Sequence, residues 1–186
     1  MRIFSMTGAS STLTISFRKT DMLVIREATE VDFDTIWPIF HAIARAGDTY
    51  AYPTDIKKAE GKQHWLDMPR KTFVAEDDDE VLGSYYIKTN QAGPGAHVCN
   101  CGYMVAEAAR GRGIATAMCK HSQTVALGLG YEAMQFNFVA STNEGAVRLW
   151  QKLGFDIVGR LPGAFKHPGQ GNIDALVMYK WLAGDE

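Results

Sequence analysis

Apolar positions along the chain alternate between the period-two spacing of strands and the 3.6-residue spacing of amphipathic helices. The first clear strand signal is Met22-Leu23-Val24-Ile25, running on through Arg26-Glu27-Ala28. Residues 1–21 are rich in Ser and Thr and hold no sustained periodicity, so they read as a frayed N-terminal extension. Alternation over Thr12–Phe17 leaves an added edge strand open. Thr29 and Asp32 have the spacing of a capping box, and Ile36, Ile39, Phe40 and Ile43 follow at helical spacing up to Gly47. An aromatic loop, Asp48–Pro53, leads to Thr54-Asp55, which is predicted to cap a second helix reaching Trp65.

The remaining pattern predicts strands at Thr72–Ala75 and Val81–Lys88, joined by the acidic turn Asp77–Glu80, which lacks the ligand spacing of a calcium loop. A strand over Ala96–Val105 follows, with Asn100 and Gly102 inside it as signals of a bulge or a close backbone approach. A helix from Arg110 to about Leu127 comes next, stopped by Gly128 and Gly130. Met134–Val139 (strand), Asn143–Leu153 (helix), Phe155–Arg160 (strand) and Ile173–Trp181 (strand) complete the chain. The order β-α-α-β-β-β-α-β-α-β-β describes one α/β domain over residues 22–183.

Composition changes this picture little. The 186 residues suit one domain, large enough to bury an ordinary core. A net charge of −2 and the absence of any Lys/Arg block argue against a nucleic-acid partner. No apolar run approaches the ~20 residues needed to cross a bilayer, and residues 1–21 lack the apolar centre of a secretory signal. Three cysteines, Cys99, Cys101 and Cys119, cannot all pair within one chain, which fits a reducing compartment and a cytoplasmic protein. His97, Cys99 and Cys101 share one face of a strand, but the spacing is not that of a zinc site, and buried thiols acting as small hydrophobes explain the same residues. No metal is expected.

Candidate chemistry concentrates in Arg110-Gly111-Arg112-Gly113-Ile114-Ala115, between a strand and a helix. The first N–H groups of a helix lack intrahelical partners and carry the positive end of its dipole, so they bind phosphate. Gly111 and Gly113 admit a pyrophosphate without a side chain in the way, and Arg110 and Arg112 add charge. A dinucleotide fingerprint is excluded by Thr116 at the third glycine position, and a P-loop by the lack of Gly-Lys-Ser/Thr.

Val105 followed by Arg110-x-x-Gly113-x-Ala115 resembles the acetyl-CoA motif of the GNAT superfamily of N-acetyltransferases. Asn143-x-x-Ala146-x-x-x-Trp150-x-Lys152-x-Gly154-Phe155 is similar to that family's next helix and strand, and the resemblance covers roughly Met22 to Leu182. It implies a central, mixed but mostly antiparallel sheet of about seven strands with a splayed strand pair, flanked by about four helices. It further implies that backbone groups around Val105 pair with pantetheine. Backbone N–H groups of Arg110, Gly111, Arg112, Gly113, Ile114, Ala115 and Thr116 would hold pyrophosphate, and Asn143 would bond the pantetheine. Acetyl-CoA is the implied cosubstrate, and a backbone N–H near the end of the strand would polarise the acetyl carbonyl. Trp150 stands where many relatives have Tyr, so the group that protonates the departing thiolate must be sought elsewhere. Tyr103 and Tyr179 are the candidates, and Trp150 itself suits a packing role.

An acceptor amine must be neutral to attack. Glu107, Glu132 and Glu144 flank the motif, yet each equally suits a surface position. Asn100 and Asn137 fall inside strands bordering the expected cleft, where an amide offers both acceptor and donor to a zwitterionic amino acid. The segments His97–Val105, Phe136–Asn143 and Trp150–Phe155 are similar to azetidine-2-carboxylate acetyltransferases, which also carry Trp at that place. Ile25–Glu30 and Tyr50–Pro53 resemble the phosphinothricin and methionine-derivative enzymes. These resemblances imply a small amino-acid amine as substrate and detoxification as the setting, with a homodimer left open because relatives commonly form one. Acetylation of a protein N-terminus or Lys, and an acyl-CoA sensor without turnover, are the competing readings.

Overall fold

The computed structural model describes residues 23–184. The N-terminal extension expected over residues 1–21, with the edge strand left open at Thr12–Phe17, and Met22 lie outside them. Seven strands form one sheet in the order β1-β2-β3-β4-β5-β7-β6. They are β1 (Val24–Glu27), β2 (Lys71–Asp77), β3 (Glu80–Thr89), β4 (Val98–Val105), β5 (Ala133–Ala140), β6 (Asp156–His167) and β7 (Gly171–Trp181). Every neighbouring pair is antiparallel except β4 and β5. Four α-helices flank the sheet: α1 (Phe33–Ala46), α2 (Lys58–Lys62), α3 (Ile114–Gly128) and α4 (Glu144–Lys152).

Strand alternation builds two cores. On one face Phe73, Tyr85, Ile87, Cys99 and Cys101 pack with Met118 and Cys119 of α3 and Trp150 of α4. On the other, Val74, Tyr86 and Met104 meet Phe33, Ile36 and Phe40 of α1 and Trp65. Trp65 sits in a π-helical turn, Gln63–Asp67, that continues α2, and its indole N–H donates to Ser84 Oγ at 2.9 Å. All three cysteines are free and buried in the first core, and among the described residues no cluster of side chains is arranged to hold a metal. Among the described residues no helix is long and apolar enough to cross a membrane.

The entry to α1 follows the capping signal. Asp32 accepts from Thr29 N–H at 2.6 Å and Thr29 Oγ1 at 2.8 Å, and from Arg26 through both carboxylate oxygens at 2.9 and 2.8 Å. The arginine beside it holds the Asp32 carboxyl well below the usual carboxylate range.

Four local expectations need correction. Helix α2 starts at Lys58, where Glu60 accepts from Lys57 N–H at 3.0 Å, and Thr54-Asp55 forms a turn ahead of it. Helix α3 starts at Ile114, leaving Arg110–Gly113 as loop, because Gly113 adopts φ +82° as the residue before the helix. Strand β6 runs past Arg160 to His167 despite Pro162 and Gly163. A bulge between Leu161 and Phe165 absorbs them, and Asp174 on β7 accepts from Gly163 N–H at 2.9 Å and from Arg160 at 2.6 Å. The bulge expected near Asn100 and Gly102 is absent, since β4 pairs with β3 in unbroken register. It lies instead on β5, between Phe136 and Val139.

Candidate active site

Strands β4 and β5 pair only over Val98–Asn100 and Ala133–Gln135, and then part. Asn100 sits at the fork. It is buried, its Nδ2 donates to Gln135 O at 2.9 Å, and its Oδ1 accepts from Tyr86 Oη at 3.0 Å. One amide therefore ends the parallel ladder and ties three strands together. Gly102 is needed for packing: a Cβ there would lie 2.6 Å from the Tyr86 ring.

Beyond the fork, the ladder alternation decides where the backbone of β4 points. Ala106 N–H donates to Leu82 O at 2.8 Å and Asn90 N–H to Val98 O at 2.9 Å, so the even-numbered residues of β4 face β3. Tyr103 and Val105 consequently turn their N–H and C=O groups into the gap left by β5. Tyr103 O accepts from Tyr50 Oη at 2.8 Å. The other groups of this short edge can pair with an extended, amide-bearing chain, as an added strand would.

The gap opens into a cleft of two connected halves. One, of about 550 Å³, reaches from Tyr103 and Val105 to Arg110, Gly111 and Ala115, with Asn143 on the facing wall. A smaller hollow beside it adds Gly113, Ile114 and Thr116. The first intrahelical bond of α3 that reaches back to Gly113 O comes from Ala117 N–H, so the N–H groups of Ile114, Ala115 and Thr116 precede it. Gly111 (φ +79°) and Gly113 both take the left-handed conformation, and no atom lies within 4 Å of where a Cβ would be at either. That combination of open space and free N–H groups fits a pyrophosphate.

Arg110 lines this half, whereas Arg112 lines none of the cleft; its guanidinium binds Asp77 at 2.7 Å and braces the loop against the β2–β3 turn. Of the two arginines expected to add charge at the mouth, Arg110 is the one that lines the cleft. Asn143 caps α4, its Oδ1 accepting from Ala146 N–H at 3.3 Å, which leaves its NH2 directed to other partners.

The second half, of about 330 Å³, is walled by Tyr50, Tyr52, Tyr86, Asn100, Asn137 and Lys88. Tyr50 stacks on Tyr52 with ring centroids 5.7 Å apart, and Tyr52 is pushed up to about 12 by burial. Burial also raises Tyr50 and Tyr86, so all three phenols stay neutral donors at physiological pH. Asn137 is exposed on the β5 bulge; its Oδ1 accepts from Gln135 Nε2 at 2.9 Å and its Nδ2 donates to Asn90 Oδ1 at 2.7 Å.

Tyr103 presents its backbone to the cleft but not its proton. Its hydroxyl lies 2.7 Å from Ser122 Oγ, which donates to Cys119 O, and 3.5 Å from Met134 Sδ. Burial, with Cys101 and Cys119 nearby, raises this phenol well above its ordinary value. Proton donation from that position to a thiolate in the cleft is not available. Tyr179 lines neither half. Trp150 borders both, packed 5.0 Å from the Tyr103 ring and 5.2 Å from Phe136. Glu107, Glu132 and Glu144 line neither half, and Glu144 pairs with Arg148 at 2.9 Å.

Several cleft residues were not singled out from the sequence: Tyr86 and Lys88 on β3, Asp48 at the start of the aromatic loop, and His167 and Gln170 at the tip of the β6–β7 hairpin. Tyr86 and Lys88 could have been found from the register alone, as they lie opposite Gly102 and Asn100.

A mixed seven-stranded sheet that forks beside a glycine loop and helix N-terminus defines an acyl-CoA-type transferase fold. The chain belongs to the acetyltransferase (GNAT) family, whose profile matches residues 34–155. It is similar to N-acetyltransferase aca1 of Schizosaccharomyces pombe, with 34% identity over 98 residues, 52% of this chain and 47% of that protein. The chain thus spans about half the length of this curated relative. The structure of a GCN5-related N-acetyltransferase from Kribbella flavida superposes with a TM-score of 0.82 at 42% identity, covering 86% of this chain and 97% of the other. A phosphinothricin acetyltransferase from Sinorhizobium meliloti, solved in complex with acetyl-CoA, shares the fold at a TM-score of 0.77 and 20% identity, over 87% of this chain and 89% of that one.

Proposed function

We propose that the protein is an acetyl-CoA-dependent N-acetyltransferase that acylates the amine of a small amino acid or amino-acid analogue in a ternary complex. The observation that carries this reading is the continuity of the cleft. A pyrophosphate-sized loop, a vacant strand edge and a small aromatic pocket lie in a row, with Tyr50, Tyr103, Asn143 and Trp150 bordering both halves.

Acetyl-CoA supplies the activated acyl group. In this reading Arg110 and the N–H groups from Gly111 to Thr116 hold its pyrophosphate. Val105 and the Asn143 NH2 align the pantetheine, which brings the acyl carbonyl to the free N–H at Tyr103. Tyr50, by occupying Tyr103 O, leaves that N–H as the polar group of Tyr103 turned to the cleft. Trp150 packs beside the thioester, and the thiolate leaves without a phenol to protonate it, while the proton given up by the attacking amine passes to solvent.

Size and charge favour a small acceptor over a basic peptide: among the described residues lining the acceptor half there is no carboxylate to draw in a cationic chain. Thiol release from acetyl-CoA should be followed with amino acids, proline analogues, polyamines, aminoglycosides and basic peptides. Release confined to small amino acids is expected. Release with peptides alone would overturn the choice of acceptor, and tight acetyl-CoA binding without turnover on any amine would favour the sensor.

A further inference from the structure

The acceptor half of the cleft has an imbalance of hydrogen-bonding groups. Its side-chain amide oxygens and Tyr103 O each already hold one hydrogen bond: Asn100 Oδ1 from Tyr86, Tyr103 O from Tyr50, Asn137 Oδ1 from Gln135, and Asn143 Oδ1 from Ala146 N–H. Two of its donors are less engaged. Lys88 forms no ion pair or hydrogen bond among the described residues; its ammonium lies 5.2 Å from the centroid of the Tyr86 ring. Asn137 spends one amide N–H on Asn90 and keeps the second. Lys88 is the one charged side chain among the described residues lining this half, and it is half-buried on β3 directly opposite Asn100. A cation in an aromatic cleft with no facing carboxylate attracts an anion, because the low local dielectric strengthens the pairing.

We infer that Lys88, with the spare N–H of Asn137, forms a subsite for the carboxylate of the acceptor, so that the enzyme selects amines that carry an acid group over amines that do not. This rests on the small-amine reading above and adds the determinant of specificity. The Lys88 ammonium and the Asn137 amide grip the carboxylate, and the Tyr50 and Tyr52 rings flank the carbon skeleton. The neutral amine is thereby held toward the Tyr103 end of the cleft. A polyamine or a basic peptide would meet Lys88 as a like charge, with no carboxylate among the described lining residues to offset it.

The test compares L-proline, azetidine-2-carboxylate, L-methionine and L-leucine, each against its own carboxamide, in the intact protein and in Lys88→Met and Lys88→Arg. The parent should favour the acids by at least roughly 10-fold in kcat/KM. Lys88→Met should lower kcat/KM for the acids by roughly 10- to 100-fold, mostly through KM, and change the amides by less than about threefold. Lys88→Arg keeps the charge and should retain the preference. Unchanged discrimination in Lys88→Met, or a parent that uses the amides as well as the acids, would overturn the inference and leave the small-amine reading standing. Transfer to basic peptides with neither acids nor amides used would overturn that reading and this subsite with it. A thermal unfolding curve of Lys88→Met that overlays the parent's assigns the loss to recognition, whereas equal loss on acids and amides overturns the subsite.

Discussion

Replacing Gly102 by alanine tests how the fork between β4 and β5 holds the acceptor pocket. The added methyl would lie 2.6 Å from Tyr86 Cε1, 3.0 Å from Cζ and 3.1 Å from the hydroxyl oxygen. Nothing flexible is available to yield. The Tyr86 ring is buried and stands edge-on to Trp65, with centroids 5.0 Å apart at 90°. Trp65 is itself fixed by its bond to Ser84, whose hydroxyl donates to Phe73 O at 2.8 Å. Overpacking a fixed ring costs about 1–3 kcal/mol. Displacing the Tyr86 hydroxyl from Asn100 adds about 1 kcal/mol. The sum, about 2–4 kcal/mol, corresponds to a fall in Tm of roughly 5–15 °C for a chain of this length. Thermal and urea unfolding of Gly102→Ala measure it, with m expected to stay constant. Acceptor KM should rise while acetyl-CoA affinity stays close to the parent's, because Tyr86 walls only the acceptor half. Adding Tyr86→Leu should recover part of the stability, as the two changes share one contact. A Gly102→Ala protein within about 0.5 kcal/mol of the parent would refute the packing account.

The two asparagines should separate. Asn100→Ala leaves the buried Tyr86 hydroxyl and Gln135 carbonyl without this partner and should destabilise by about 2–4 kcal/mol, whereas the exposed Asn137→Ala should stay within about 0.5 kcal/mol and lose acceptor affinity, both read by urea unfolding and steady-state kinetics. Arg110→Ala should raise the Kd for CoA and flatten its salt dependence, while Arg112→Ala, whose guanidinium is on Asp77, should act mainly on loop order and change the salt dependence little; calorimetric titration at two ionic strengths distinguishes them. The depressed Asp32 carboxyl adds stability that is complete above its unfolded value of about 3.9 and is lost as pH falls toward the folded one. Asp32→Asn should therefore have a lower Tm at neutral pH and a shallower decline on the acid side, and parallel acid limbs would contradict that sign.

Much of the fold was legible because its signals are local. The strand-helix order and the start of α1 rest on periodicity and a capping box within a few residues. The glycine loop before α3 is equally local, since two glycines before a helix imply both positive φ and open N–H groups. What escaped depends on partners far away in the chain. The strand predicted to end at Arg160 continues to His167 because Asp174, eleven residues beyond Gly163, bonds the bulge that holds Pro162-Gly163. Gly102 reads as either a bulge or a close backbone approach until the Tyr86 ring is placed against it. Arg112 and Arg110 are indistinguishable in sequence, and only the proximity of Asp77 separates them. Lys88 is merely the last residue of a predicted strand until the register sets it opposite Asn100, in a pocket with no carboxylate among the described lining residues.

The most direct measurement is product identification by mass spectrometry. The protein is incubated with isotopically labelled acetyl-CoA and an equimolar mixture of amino acids and proline analogues, and thiol release is quantified in parallel. The account predicts labelled N-acetyl amino acids in amounts equal to the thiol released. Thiol release without any N-acetyl amino acid, or label found only on peptide amines added to the same mixture, would contradict it.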